Sequence, residues 1–440
     1  MNKIKNKLKK IIIFELIFVL LSSISMQICI ADELVNTTQT NVETTDSLQQ
    51  PNISVLSQHA ILLEQQSGQI LYEYNARDKA YPASTTKLIT AILTLENCNL
   101  DDVVTVDKNA LLGIPRSYTV ASLQANEQLT VDQLLHVLLI PSANDAANVL
   151  AFHIAGSIES FADMMNDKAK LIGCENTHFT NPSGIHDDNH YSTAYDMALI
   201  GEYAYKYEKI REIASTTNYA LPPLQDGAER AFKTTNTLIN PKNQYFYEYA
   251  TGLKTGYTDK AKSCIVATAE KDNKKLLCVI LGGDKTEDKK SQREIDCKTL
   301  FEYGFNNYNY SDICVENNIV DKSQLSDLPD LLKDTDIEYS ETLHLMVPVD
   351  GSFTTEYSIN TEITGPVKKG DTIGFVTYTI NGKPYNVALI ASNDIYPIAS
   401  NNISNLFRIL VLVLVVAIVL ILIRKKNNKR ESKYFKRSLY

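Results

Sequence analysis

Strand-like segments stand at both ends of a long helical stretch, and few folds accommodate that order. His59-Ala-Ile-Leu-Leu-Glu64 and Gln69-Ile-Leu-Tyr-Glu-Tyr74, joined through Gln65-Gln-Ser-Gly68, read as a β-hairpin with a glycine-containing turn. From Pro82 to about Tyr207 apolar residues recur with helical spacing: Leu88, Ile89, Ile92 and Leu95 share one face, as do Leu134, Leu135, Leu138 and Leu139. Strand signals return at Cys264-Ile-Val-Ala-Thr-Ala269 and Leu276-Leu-Cys-Val-Ile-Leu281, around a polar turn from Glu270 to Lys275. A helix from about Glu287 to Tyr303 is expected next. This order predicts an α/β chain of the α+β kind, with one antiparallel sheet assembled from N- and C-terminal pieces and packed against a helical insert. After about Cys314, the runs Leu343-His-Leu-Met-Val347 and Thr372-Ile-Gly-Phe-Val-Thr-Tyr-Thr379, with a turn at Asn381-Gly382, predict a small all-β domain over 315–396.

Both termini carry membrane signals. Lys3, Lys5, Lys7, Lys9 and Lys10 precede an apolar run from Ile11 to Ile24, interrupted by Glu15, and small residues near Cys29-Ile30-Ala31 complete a secretory signal peptide over 1–31. Residues 32–52, rich in Thr, Asn, Gln and Asp, read as a flexible spacer. Near the other end Ile409–Ile423 contains only Val, Leu, Ala and Ile, and Leu406-Phe407-Arg408 extends it. At 1.5 Å per residue, 406–423 makes roughly 27 Å of helix, close to the hydrocarbon thickness of a bilayer. A transmembrane helix over 405–423 is therefore expected, with the basic stretch 424–440 as a cytoplasmic tail and the body on the extracellular side, held in the cell membrane by one C-terminal anchor.

The formal charge of −9 averages these compartments. Without the five N-terminal lysines and the net +7 of the last seventeen residues, the body between them carries about −21, which excludes nucleic acid as a partner. An exported enzyme also has no access to cytosolic ATP or NAD, and no cofactor is expected. The seven cysteines are too sparse for a disulfide scaffold and form no CxxC pair. Cys264 and Cys278, within apolar strand runs, read as small buried thiols, and a disulfide in an oxidising exterior stays open. No HExxH occurs, and His186-Asp-Asp-Asn-His190 reads as solvated loop residues, so no metal site is expected.

The chemistry concentrates in three short motifs. Pro82-Ala-Ser-Thr-Thr-Lys87 stands where a helix begins, and the i, i+3 spacing puts the Ser84 hydroxyl and the Lys87 amine on one face. Serine is a poor nucleophile until a base takes its proton, and lysine serves as that base only when burial or another cation depresses its pKa. Ser142-Ala-Asn144 follows, and then Gly252-Leu-Lys-Thr-Gly-Tyr-Thr258, where a glycine inside a strand marks a close approach of ligand backbone at Gly256. In this order, Ser-x-x-Lys, Ser-x-Asn and Lys-Thr-Gly are the constellation of penicillin-binding proteins and class A β-lactamases.

The residues around them narrow the resemblance. PASTTKLIT from Pro82, SANDAA from Ser142, MNDKA from Met165, THFTNPSG from Thr177 and GLKTGYT from Gly252 resemble the D-alanyl-D-alanine carboxypeptidases, low-molecular-mass penicillin-binding proteins of serine peptidase family S11. The resemblance implies a β-lactamase/transpeptidase-like catalytic domain over 53–308, with the β domain behind it matching the family's C-terminal module, including Gly365-Pro-Val-Lys-Lys-Gly370. It implies removal of the terminal D-alanine from peptidoglycan stem peptides in cell-wall biosynthesis, with β-lactams as covalent inhibitors. Ser84 is then the acylated nucleophile, Lys87 its base and Ser142 a proton relay to the leaving group, with Asn144 fixing Lys87. Lys254 and Thr255 take the substrate carboxylate, with support from Arg293, and the backbone N–H groups of Ser84 and Tyr257 form the oxyanion hole beside Gly256. Two features depart from the family pattern: the expected membrane span in place of an interfacial helix, and Ala261-Lys262-Ser263 where Ala-Gly is frequent. The rivals are a β-lactamase, disfavoured because no Leu-Asn pair is present for the deacylation loop, and a non-catalytic penicillin-sensing or wall-binding protein.

Overall fold

The computed structural model describes residues 53–224, 227–285, 291–396 and 409–425. The expected signal peptide, the spacer and residues 426–440 of the basic tail lie outside these. Strands β1 (His59–Glu64) and β2 (Ile70–Tyr74) form the predicted hairpin. Three later strands, β3 (Ala250–Thr258), β4 (Lys262–Lys271) and β5 (Lys274–Gly283), complete an antiparallel sheet of order β2-β1-β5-β4-β3. His59 pairs with Leu281 and Glu64 with Leu276, so the N-terminal strand closes against a partner more than 200 residues away.

Period-two alternation explains how the sheet holds two cores. Ile61, Leu63, Val266, Leu277, Val279 and Leu281 point into one apolar cluster, and Ala60, Leu62, Ile265, Ala267, Leu276, Cys278 and Ile280 into another on the opposite face. The first face receives the helical insert: α1 (Lys87–Asn97), α2 (Val131–Leu139), α3 (Asn144–Ala155), α4 (Ile158–Ile172), α5 (Ala194–Tyr205) and α6 (Glu208–Ala214). All of α1 from Lys87 to Thr94 is buried, so this helix runs through the middle of the domain. Local signals set the ends of its neighbours. Thr130 and Gln133 form a reciprocal capping box at the start of α2, and Gly156 and Gly173, at φ +79° and +101°, stop α3 and α4.

The second face is covered by α7 (Gln292–Asn307). This corrects the expected Glu287–Tyr303: the helix begins after Ser291 and runs one turn further, because Phe305 continues the buried stripe of Leu300 and Phe301 against the sheet. Without a break the chain enters β6 (Tyr308–Cys314), which pairs with β8 (Leu343–Pro348). Between and after them, β7 (Ile337–Tyr339), β9 (Phe353–Ile359), β10 (Thr372–Ile380) and β11 (Lys383–Ala391) form a sheet of order β7-β11-β10-β9. Asn381 and Gly382, both at positive φ, turn β10 into β11. This module is fastened to the first sheet by Gln69, which exchanges two hydrogen bonds with the Met346 backbone, and by Tyr310, which donates to Glu64. The six cysteines among the described residues are free thiols, Cys264 and Cys278 fully buried in their strands.

Residues 409–425 form a further helix whose apolar side chains are exposed. Among the described residues no helix is long and apolar enough to cross a membrane, so the structure does not bear out the transmembrane helix expected over 405–423. Residues 405–408 of that expectation lie outside the described residues.

Leu277, fully buried where β5 meets the helical insert, tests the sheet. Leu277→Ala is expected to lower unfolding free energy by about 2–5 kcal/mol, read as a lower denaturant midpoint at unchanged slope.

Candidate active site

The chain enters α1 through a short 3₁₀ turn, Ala83–Thr86, in which Ala83 adopts a left-handed φ of +48°. Such a conformation is costly outside glycine and persists only where the surroundings enforce it. Here it sets Ser84 at the head of a buried helix, with its side chain half-exposed to a cavity of about 470 Å³. Lys87, one turn later, is fully buried, and its Nζ lies 3.0 Å from Ser84 Oγ, 2.8 Å from Asn144 Oδ1 and 2.6 Å from the Ser183 carbonyl oxygen. Burial pushes this amine well below the usual lysine range; Lys254 lowers it further, and Asp145 opposes them. In the neutral amine, two N–H groups donate to the Asn144 and Ser183 oxygens and the lone pair faces the Ser84 O–H. That is the arrangement a general base requires.

Asn144 opens α3, and its amide donates 2.9 Å to the Thr119 carbonyl, which fixes which oxygen faces Lys87. The next residue, Asp145, is buried and accepts from the backbone N–H of Ala121 and Leu123, so it ties the 117–123 loop to the same helix end. Ser142 sits in the turn between α2 and α3 at φ +69°. Its Oγ is buried and, among the described residues, has no hydrogen-bond partner, so Asn144 meets Lys87 while the Ser142 hydroxyl is left unengaged.

The third motif lies on β3, the edge strand of the sheet. A Cβ on Gly256 would fall 2.8 Å from the Ser84 backbone nitrogen and 3.1 Å from the Pro82 carbonyl, so only glycine lets this strand reach the nucleophile turn. Lys254 is buried, and desolvation, followed by the charge of Arg293, brings its pKa to about 7. Thr255 Oγ1 lies 2.6 Å from Thr235 Oγ1, whereas Tyr257 is 56% exposed at the rim, its hydroxyl donating to Asp259. Arg293, from the first turn of α7, reaches the carbonyls of Gly256 and Cys264 at 3.2 and 3.3 Å. Ser84, Ser142, Asn144, Thr255, Gly256, Tyr257 and Arg293 all line one cavity, with Lys87 and Lys254 buried behind it. The departure at Lys262 has a structural side: it takes φ +57°, the conformation a glycine adopts freely, and its amine lies 3.8 Å from Asp284.

Residues that the motifs did not mark complete the site. Asn181 accepts from the backbone N–H of Ser183 and Gly184 and so shapes the loop that delivers the Ser183 carbonyl to Lys87. Gly184, at φ +79°, passes so close to Ala83 that any Cβ would collide with its carbonyl. A backbone carbonyl carries no residue signature, so only the loop's resemblance to its family could have flagged it. His190 corrects the expectation of solvated loop residues, being 2% exposed. Its Nδ1 accepts from the Thr180 N–H at 3.1 Å, which leaves Nε2–H to donate to Thr86 Oγ1 at 2.8 Å, directly beneath Lys87 in sequence. Among the described residues no group of three or more His, Cys, Asp or Glu could hold a metal ion.

A serine at a helix head, a buried lysine with its pKa pushed down and a lysine-bearing edge strand facing them match the constellation shared by penicillin-binding proteins and class A β-lactamases. The family model of D-alanyl-D-alanine carboxypeptidases, peptidase S11, matches residues 44–285. The chain belongs to this family. It is 29% identical over 347 residues to the D-alanyl-D-alanine carboxypeptidase DacF of Bacillus subtilis, covering 76% of this chain and 84% of that protein. With the D-alanyl-D-alanine carboxypeptidase DacC of Escherichia coli it shares 31% over 346 residues, or 73% of this chain and 80% of the other. Among solved structures, penicillin binding protein 5 of Haemophilus influenzae superposes with a TM-score of 0.61 at 26% identity, over 79% of this chain and 99% of that one. The carboxypeptidase DacD of Francisella tularensis, at 23% identity and TM-score 0.66 over 79% of this chain and 95% of its own, has the same fold. The α+β architecture of this S11 member is thus the transpeptidase-like one.

Burial carries the His190 pKa down to about 3. The unfolded chain, with histidine near 6.5, therefore binds a proton that the folded chain refuses between about pH 3 and 6.5, and stability falls as pH drops through that window. The denaturant midpoint is expected to decline from pH 6.5 toward pH 4, with a shallower slope in His190→Asn.

Proposed function

We propose that this chain is a serine D-Ala-D-Ala carboxypeptidase that trims the terminal D-alanine from peptidoglycan stem peptides in cell-wall biosynthesis and remodelling, and that β-lactams acylate the same serine. The observation that carries it is the fully buried Lys87 amine held against Ser84 Oγ by two protein oxygens. In this mechanism the Ser84 O–H gives its proton to Lys87 while Oγ bonds to the scissile carbonyl carbon. The carbonyl oxygen gathers charge between the backbone N–H groups of Ser84 and Tyr257, each donor of this kind being worth about 3–4 kcal/mol. Collapse breaks the C–N bond, and the proton passes from Lys87 through the Ser142 hydroxyl to the departing D-alanine amine. That step gives the buried, unpartnered Ser142 Oγ something to do. Water then hydrolyses the ester and restores Ser84.

The same geometry accounts for the substrate's free carboxylate. Lys254, poised near pKa 7, takes up a proton when an anion binds beside it, and the Thr255 hydroxyl and Arg293 complete the pocket. β3, an edge strand with one unpaired side, receives the peptide as an added strand. A class A β-lactamase uses a glutamate to activate the deacylating water; among the described residues lining the cavity the only carboxylate is Asp259, exposed at the rim.

Ser84→Ala is expected to abolish both labelling by a fluorescent penicillin and D-alanine release from diacetyl-Lys-D-Ala-D-Ala. Release at the wild-type rate by the variant would overturn the mechanism.

The apolar run ending at Ile423 and the basic residues after it further support a single C-terminal membrane anchor, with the catalytic domain on the cell-wall side. Alkaline carbonate washing should then leave the full chain in the membrane fraction, where an interfacial helix releases at least in part.

A further inference from the structure

Arg293 is not loose in the cavity wall. It occupies the second position of α7, where the positive end of a helix disfavours a cation, and Lys254 across the pocket repels it. The adjacent Glu294 compensates for both. Arg293 Nε and Nη2 each lie 2.8 Å from Glu294 Oε1, and the Thr237 hydroxyl donates to the same oxygen at 2.8 Å. Glu294 is only 1% exposed, and although burial pushes its carboxyl up, the Arg293 charge and hydrogen bonds hold it below the usual range. Two of the three guanidinium nitrogens are thereby occupied, which leaves Nη1 directed at the Gly256 and Cys264 carbonyls, beside Thr255 and Gly256 in the cavity. A buried ion pair of this kind is a poor source of stability, since desolving both charges offsets most of their attraction. Its effect is orientational, because a charged fork held at two nitrogens has few rotamers left to lose on binding an anion.

Resting on the carboxylate site proposed above, we propose that Glu294 is a positioning residue that holds Arg293 on the wall of the cavity and thereby sets the enzyme's preference for substrates ending in a free carboxylate. Its contribution falls on recognition of the substrate's terminus and leaves the acylation step at Ser84 untouched.

The test compares diacetyl-Lys-D-Ala-D-Ala with the same peptide amidated at its C-terminus, in wild type, Glu294→Gln and Glu294→Asp. Wild type should favour the free acid in kcat/KM. Glu294→Gln, nearly isosteric but uncharged, should reduce that acid-over-amide ratio about tenfold through KM, with kcat for the acid changed less than about twofold, in line with the loss of one charge-assisted contact. Glu294→Asp, which keeps the charge but draws it back by a methylene, should lose less, and it still reports if the glutamine variant folds poorly. A wild type that does not distinguish acid from amide would overturn the carboxylate site and this inference with it. A wild type that does distinguish them, with both variants retaining its ratio or losing activity equally on the two peptides, would overturn the inference alone.

Discussion

The rest of the site is built around one amine without water. Lys87 Nζ joins three separate pieces of chain: Ser84 on its own helix, Asn144 at the head of α3 and Ser183 in the loop before α5. An ammonium buried this deeply costs several kcal/mol, so the structure favours the neutral base, and the neighbouring cation Lys254 pushes the same way. Two of these partners are fixed in turn by contacts that have no chemistry of their own, Thr119 for Asn144 and Asn181 for the Ser183 loop, and His190 holds Thr86, the residue before Lys87. A depressed pKa is thus a property of the whole domain, expressed at one nitrogen.

The sheet supplies the other half. β3 is an edge strand, and edges invite pairing with foreign strands; the proposed function turns that liability into a peptide-binding surface, and Gly256 lets the edge close onto the Ser84 backbone. The cationic pair Lys254 and Arg293 lies at this edge, and Glu294 holds the arginine in place from α7. In the proposed function a strongly acidic body would meet an anionic substrate terminus through cations sunk in its wall, where surface charge is screened from them by distance and by salt.

Much of this was legible in the residues. Alternating runs at 59–74 and 264–281 announced a sheet made from N- and C-terminal pieces, and the three motifs marked Ser84, Asn144 and the β3 edge, which meet in one cavity, and Lys87, buried behind it. Other parts were opaque for physical reasons. His190 lay in a polar sequence and looked solvated, but the loop folds inward because Thr180 and Thr86 satisfy both ring nitrogens. The Ser183 carbonyl is a backbone group, which any residue would provide. The end of α7 shifted by a turn because tertiary packing of Phe305, rather than local propensity, decides where it stops.

By itself the sequence determined the fold class and the family, and nominated the side chains proposed to react, because periodicity and residue type are local properties of the chain. Tertiary structure alone decided protonation and reach. Whether Lys87 is a base depends on desolvation and on Lys254, 167 positions away. Where Arg293 stands on the cavity wall depends on a buried carboxylate beside it, itself held by a threonine from another segment. Electrostatic energies are set by distance and dielectric, and neither exists until the chain has closed β1 against β5.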